Sequence, residues 1–183
     1  MNRQDALNSI EANVENRNLI KHMLATEAIM RALARRFGED EDKWGLAGLL
    51  HDIDVELTGG DMTVHSKLGA DLVQEMGASE EIAHAILCHN EAHGIPCETM
   101  LDKALFCADP ITGLITAAAL VRPDKKLANV EAKSIRKRFK EKSFAAGAKR
   151  EQIAACSEIG LELDEFIALS LEAMKGVAGD LGL

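Results

Sequence analysis

LAGLLHDID, residues 46–54, is an apolar run that ends in a histidine followed at once by an aspartate. Leu46, Leu49 and Leu50 have the spacing of a buried helix face, so His51 and Asp52 come at the inner end of a buried helix. Burying a polar group without a partner costs roughly 2–7 kcal/mol. One divalent cation would be a partner for both side chains. The stretch therefore predicts a helical protein with a metal site at the end of this helix.

The remainder of the 183 residues supports an all-α fold class, a helical bundle in a single domain over 1–183. The chain is 47% hydrophobic but only 3% aromatic, without tyrosine, which favours helices over strands. Apolar periodicity predicts helices near residues 4–16, 18–37, 41–52, 64–76, 79–90, 98–109, 111–121, 128–139, 148–158 and 163–177. Because Pro110 lacks an N–H group, we expect a kink or a helix restart there.

Charge is unevenly distributed along the chain. The net charge of −9 argues against general nucleic-acid binding, which needs a basic surface. Between residues 122 and 150, however, eleven basic residues face three acidic ones, a balance of +8. This segment is interpreted either as a solvated helix face or as a patch that attracts an anionic substrate.

Localisation is predicted from what the sequence lacks. We expect no apolar run long enough to cross a bilayer, and the first residues do not resemble a signal peptide. Cys88, Cys97, Cys107 and Cys156 form no Cys-x-x-Cys pair, which favours reduced thiols. The prediction is a cytoplasmic protein with no membrane partner.

Other residues carry side chains that could bind a metal or take part in catalysis, but each has two possible interpretations when it is considered alone. Asp109 follows the apolar run ALFCA and would be either a helix N-cap or a ligand. His22 lies near the inner stripe of its helix and would be either a packed core histidine or a ligand. Asp54 would be either a turn carboxylate or a partner of a ligating histidine. His84 and His93 receive no ligand role.

The order His22, His51-Asp52, Asp109 resembles the H…HD…D signature of the HD superfamily of metal-dependent phosphohydrolases. The phrases GLLHDID (48–54) and ALFCADPI (104–111) agree with it. VHSKLGADLV (64–73) and AILCHNEAHGIP (85–96) resemble the later histidine-bearing segments of the binuclear members, at His65 and His89. The resemblance covers residues 20–112. Within the superfamily, the chain is most similar to the subgroup that includes dinucleoside tetraphosphate hydrolases. Many relatives place a lysine shortly after the HD pair, where this chain has Ile53, Asp54 and Val55.

The resemblance implies an HD-domain helical bundle, with a metal core at about 18–121 and a C-terminal helical extension at about 122–183. It implies two divalent metals per chain (Mn, Fe, Mg, Co, Ni or Zn), with Asp52 as the bridge between them. The implied metal ligands are His22, His51, Asp52, His65, His89 and Asp109.

The implied activity is hydrolysis of a phosphate ester or phosphoanhydride by metal-activated water, with His51 and Asp52 as the catalytic pair. The substrate would be a nucleotide or a small phosphorylated metabolite. Arg122 and Lys125 are the candidate phosphate contacts. Two other functions stay open: a di-iron oxygenase built on the same ligand set, and a non-catalytic signalling or scaffold domain. A homodimer through the apolar stretch 111–121 is also open.

Overall fold

The computed structural model describes all 183 residues and contains ten α-helices and no strand. The all-α fold class is therefore confirmed. The helices are α1 (Arg3–Asn13), α2 (Arg17–Phe37), α3 (Glu41–Leu50), α4 (Lys67–Glu75), α5 (Glu80–His89), α6 (Met100–Leu120), α7 (Ala132–Lys140), α8 (Arg150–Ala154), α9 (Leu163–Gly176) and α10 (Ala178–Leu181). Three short 3₁₀ helices lie at Glu91–His93, Leu127–Asn129 and Ala155–Ile159.

One hydrophobic cluster of 44 buried residues extends from Ala6 to Leu181, so the helices share a single core. Helices α2 and α6, each of 21 residues, are the longest elements. The division near residue 121 into a metal core and an extension stays a prediction.

Helix α3 lies unusually close to α2 because of a glycine. A Cβ atom at Gly48 would stand 2.9 Å from both Met30 Cγ and the carbonyl oxygen of Thr26, both on α2. Asp40 caps the start of α3 by accepting from the backbone N–H groups of Asp42 and Lys43. This close contact brings the end of α3 alongside the first half of α2.

Helix α6 differs from the sequence prediction in two ways. It continues through Pro110 as one helix, so of the two expected outcomes the restart is wrong, and the kink stays a prediction. Ile111, Leu114 and Ile115 are fully buried, and their packing offsets the lost backbone hydrogen bond at the proline. By length and composition α6 could also cross a membrane, which corrects the expectation that no run would suffice. Because 61% of its most apolar window is buried in the bundle, that is weak evidence for a membrane span.

Candidate metal centre

Five elements bring the six candidate ligands to one place. His22 lies on α2, His51 and Asp52 follow α3 directly, and His65 lies two residues before α4. His89 is the last residue of α5, and Asp109 lies in the middle of α6. Residues from 22 to 109 thus converge on one cluster, as the sequence order predicts.

One half of the cluster is built on α2, α3 and α6. His22 Nε2 lies 3.0 Å from His51 Nε2 and 3.1 Å from Asp109 Oδ1. His51 Nε2 lies 3.7 Å from Asp109 Oδ1. Adjacent ligands of a cation with bonds of about 2.1 Å are separated by roughly 3.0–3.4 Å. These three side chains therefore have the spacing of a ligand set around one ion.

Asp52 joins this half to a second one. Its Oδ2 atom lies 3.4 Å from Nε2 of both His22 and His51. Its Oδ1 atom lies 3.4 Å from His65 Nε2 and 3.5 Å from His89 Nε2. The two oxygens of one carboxylate thus face two separate pairs of imidazoles.

All four histidines are held by their other ring nitrogen. His51 Nδ1 lies 2.9 Å from the carbonyl oxygen of Gly48, and His89 Nδ1 lies 2.6 Å from that of Ile86. His22 Nδ1 lies 2.8 Å from the hydroxyl of Thr112, which itself donates to the carbonyl of Asp109. Carbonyl oxygens only accept, so Nδ1 of His51 and His89 carries a proton and the Nε2 atom of each ring faces the cluster.

His65 receives the same support from Asp54, which is fully buried. Asp54 Oδ1 lies 2.7 Å from His65 Nδ1, and its Oδ2 accepts from the backbone N–H groups of Ser66 and Gly69. A Cβ atom at Gly69 would lie 3.2 Å from this carboxyl group, which explains the glycine. Asp54 was interpreted either as a turn carboxylate or as a partner of a ligating histidine. The structure supports the second interpretation.

Two further side chains fix the loop that carries His65. Asn90 donates its amide to the carbonyl oxygens of Met62 and His65, and His93 Nε2 lies 2.6 Å from the carbonyl of His65. Sequence reasoning missed these roles, and that of Thr112. The only signal was proximity in sequence: Asn90 directly follows His89, and Thr112 follows Asp109 by three residues.

The side chains of the metal-free cluster have strongly shifted pKa values. Burial acts to lower the pKa of His22, but hydrogen bonds to Asp109 and Asp52 raise it to about 10. Burial acts to raise the pKa of Asp109, but hydrogen bonds to His22 and His51 hold it well below its usual range. The pKa of Asp52 is likewise low, because the charge of His51 and hydrogen bonds to His22 and His89 outweigh its burial. Four imidazoles thus surround two carboxylates that stay ionised.

This donor set fits divalent cations. Two of its groups, His22–His51–Asp109 and His51–Asp52–His89, each bring three ligand atoms within 4.8 Å of one another. Imidazole and carboxylate donors without thiolate suit Mn, Fe, Co, Ni or Zn. Mg prefers sites that contain more oxygen donors and fewer imidazoles. The residues could hold a divalent metal.

A cavity of about 250 Å³ opens onto the cluster. Asp52, His65, His89 and Asp109 line it, and Lys149 supplies its one cationic side chain. Lys149 is half-exposed and forms an ion pair with Glu91 across the cavity wall.

Arg122 and Lys125, the predicted phosphate contacts, do not line this cavity. They follow the end of α6, and the eleven residue steps from Asp109 to Leu120 span about 16 Å of helix. Arg122 is paired instead with Asp124, at 3.1 Å. The structure therefore does not bring these two residues to the cluster.

The geometry agrees with comparisons to known proteins. The family model "HD domain" matches residues 19–143. Ribonuclease Y of Oleidesulfovibrio alaskensis is 32% identical over 98 residues, 54% of this chain and 18% of that protein. Ribonuclease Y of Lawsonia intracellularis is 35% identical over 107 residues (56% and 20%), and that of Sulfurovum sp. is 27% identical over 164 residues (87% and 32%).

The chain spans between 18% and 32% of the length of these relatives. No solved structure matches. The ribonuclease name of the relatives is in tension with the charge-based expectation against nucleic acid. Together, the family match and the cluster identify a hydrolase-type, metal-binding HD protein. The chain belongs to the HD domain family.

Proposed function

We propose that this chain is a phosphohydrolase with two divalent metals, one held by His22, His51 and Asp109, the other by His65 and His89, with Asp52 between them. One observation carries the proposal: the two oxygens of Asp52 face two different histidine pairs at 3.4–3.5 Å. Metals bound there would supply an activated water and neutralise charge on a phosphoryl group.

The protein's own residues hold and orient the reacting groups. Each imidazole is fixed by its Nδ1–H hydrogen bond, so the ligand atoms need little rearrangement when a cation binds. Lys149 is the proposed phosphate contact, since it is the cationic side chain of the cavity and belongs to the basic segment 122–150. Glu91 pairs with Lys149 and positions its ammonium group at the cavity wall.

The first proposed substrate class is a nucleotide or small phosphorylated metabolite. No aromatic ring lines the cavity other than the histidines, so the substrate would be held by its phosphate and not by base stacking. Cytoplasmic location and dimer formation remain predictions beside this one.

A second candidate, a phosphodiester of RNA, is favoured by the ribonuclease Y relatives. The +8 segment supports it, because seven of its basic side chains are exposed and its end reaches the cavity at Lys149.

The test combines metal analysis with turnover. The full chain, purified without chelators, is expected to bind two metals and to release phosphate from mononucleotides with Mn, Co, Ni or Mg. Release of nucleotides from short RNA at a higher rate would select the second candidate. Two irons with oxygen consumption and no hydrolysis would identify the oxygenase instead. A chain that binds no metal would be a scaffold.

Asp52→Ala tests the bridging role. We expect loss of bound metal and of turnover with the helical content unchanged, because one side chain serves both halves. Asp71→Ala, an exposed aspartate on α4, is the matched control and should behave as wild type. Retained turnover in Asp52→Ala would contradict the proposal.

A further inference from the structure

A second group of metal-ligating side chains lies outside the HD cluster, where α5 meets the start of α6. His84 and Cys88 are four residues apart on α5 and so share one face of that helix. Cys97 lies in the segment between the two helices, and Asp102 lies in the first turn of α6. None of these four takes part in the site described above.

Three of these side chains lie close together, and the fourth, Cys97, contacts one of them. Cys88 Sγ and Cys97 Sγ are 3.5 Å apart, and His84 Nδ1 lies 3.0 Å from Asp102 Oδ2. Ligand atoms of His84, Cys88 and Asp102 all lie within 4.8 Å of one another. In a tetrahedral zinc site with Zn–S bonds of about 2.3 Å, two sulfurs are about 3.8 Å apart. His84, Cys88 and Asp102 thus already have the spacing of a ligand set, and Cys97 adjoins this set through Cys88.

Asp102 gives independent evidence for a missing partner. Its side chain is fully buried. Oδ2 accepts from the backbone N–H groups of Glu98 and Thr99 and contacts His84, which accounts for its role at the start of α6. Oδ1 is buried without any hydrogen-bond partner. Leaving a charged buried oxygen unsatisfied costs at least about 1–3 kcal/mol, and a bound cation would remove that cost.

The cluster is reachable from solvent. A cavity of about 370 Å³ is lined by both Cys88 and Cys97, and the His84 side chain is 34% exposed. A cation could therefore enter without unfolding the surrounding core.

We propose that His84, Cys88, Cys97 and Asp102 form a zinc-type structural metal site, separate from the HD cluster. Two thiolates, one imidazole and one carboxylate make a four-ligand set that is typical of Zn²⁺. Such an ion would tie the end of α5, which bears His89, to the start of α6, which leads to Asp109. The proposed ion would thus stabilise the helices that carry two HD ligands without taking part in the reaction. This proposal does not depend on the proposed function.

Cobalt(II) substitution separates this site from the HD cluster, because only this site contains thiolates. In the reduced chain we expect a thiolate-to-cobalt charge-transfer band whose final intensity corresponds to one thiolate-bound cobalt per chain. Asp52→Ala should retain the band. Cys97→Ala should weaken it to at most the intensity of one thiolate, from Cys88, and Cys156→Ala, which removes a buried thiol outside the cluster, should keep it unchanged. Zn²⁺ should raise the Tm of the wild type and of Cys156→Ala, but not that of Cys97→Ala.

A substitution at the partly exposed ligand His84 tests whether a loss of cobalt binding could come from misfolding. His84→Gln should weaken cobalt binding at least tenfold while its circular dichroism matches the wild type. A reduced wild-type protein without the band, or an identical band in Cys97→Ala, would overturn the proposal. A Cys88–Cys97 disulfide, seen as the loss of two hydrogens by mass spectrometry in protein that binds no thiolate-coordinated cobalt, would also overturn it and assign the pair to redox chemistry.

Discussion

The two halves of the HD cluster are held by different kinds of structure. His22, His51 and Asp109 are carried by α2, α3 and α6, and their positions follow from helix packing such as the close contact at Gly48. His65 belongs to the turns between α3 and α4, and its position depends on its hydrogen bond to Asp54 and on those that its carbonyl oxygen accepts from Asn90 and His93. The comparison suggests that the helix half tolerates loss of a single hydrogen bond and that the loop half does not.

Asp54 gives the largest test of this difference. Asp54→Ala leaves three donors unpaired, at His65 and at the backbone of Ser66 and Gly69, with a loss of about 3 kcal/mol in unfolding free energy. We expect the metal content to fall towards one per chain, because only the loop half is damaged. Elemental analysis and urea unfolding measure the two effects.

Two variants define the controls for Asp54. Asp54→Asn keeps an oxygen for the backbone N–H groups but replaces the negative charge, and it should fall between wild type and Asp54→Ala in metal content. Asp71→Ala should change the unfolding free energy by less than about 0.5 kcal/mol. Two metals bound by Asp54→Ala would show that the loop half does not depend on this carboxylate.

Thr112 is the corresponding test of the helix half. Thr112→Val removes the hydroxyl that fixes His22 Nδ1, and we expect metal affinity to weaken about tenfold with both metals still bound at saturation. Thr112→Ser retains the hydroxyl and should bind like wild type. Competition with a chromophoric chelator gives the affinities. Complete loss of one metal in Thr112→Val would mean that helix packing alone does not position His22.

Gly69 gives a smaller effect on the loop half. In Gly69→Ala the new methyl group would meet the Asp54 carboxyl at 3.2 Å, so Asp54 must shift by a few tenths of an ångström. We expect a loss of about 1 kcal/mol in unfolding free energy and a weaker second metal. Gly176→Ala, at the end of α9 with open space around the glycine, is the control and should be neutral or slightly stabilising. Equal stability of the two variants would contradict the expected crowding.

The same contrast explains what the sequence could predict. His51 and Asp109 each stand at the end of, or within, an apolar helix, and the structure brings all six residues of the ordered HD signature into one cluster. The role of Asp54 could not be decided from the sequence. Its partners at residues 65–69 are reached through turns, which have no periodicity from which contacts could be predicted. Arg122 was favoured over Lys149, which lines the cavity, because distance along the chain from Asp109 does not give distance in space.

The last prediction concerns the pH dependence of metal uptake by the helix half. In the metal-free protein the pKa of His22 is raised to about 10, so at neutral pH this imidazole carries a proton that a metal must displace. Apparent affinity should therefore rise with pH, about tenfold per unit for each displaced proton, and level off near pH 10. In the metal-free chain, the stabilisation from charged His22 is complete below about pH 6.5 and is lost as pH rises through about 10. Calorimetric titration with Zn²⁺ or Mn²⁺ in buffers of different ionisation enthalpy counts the released protons, and uptake without proton release would show that His22 is neutral before the metal arrives.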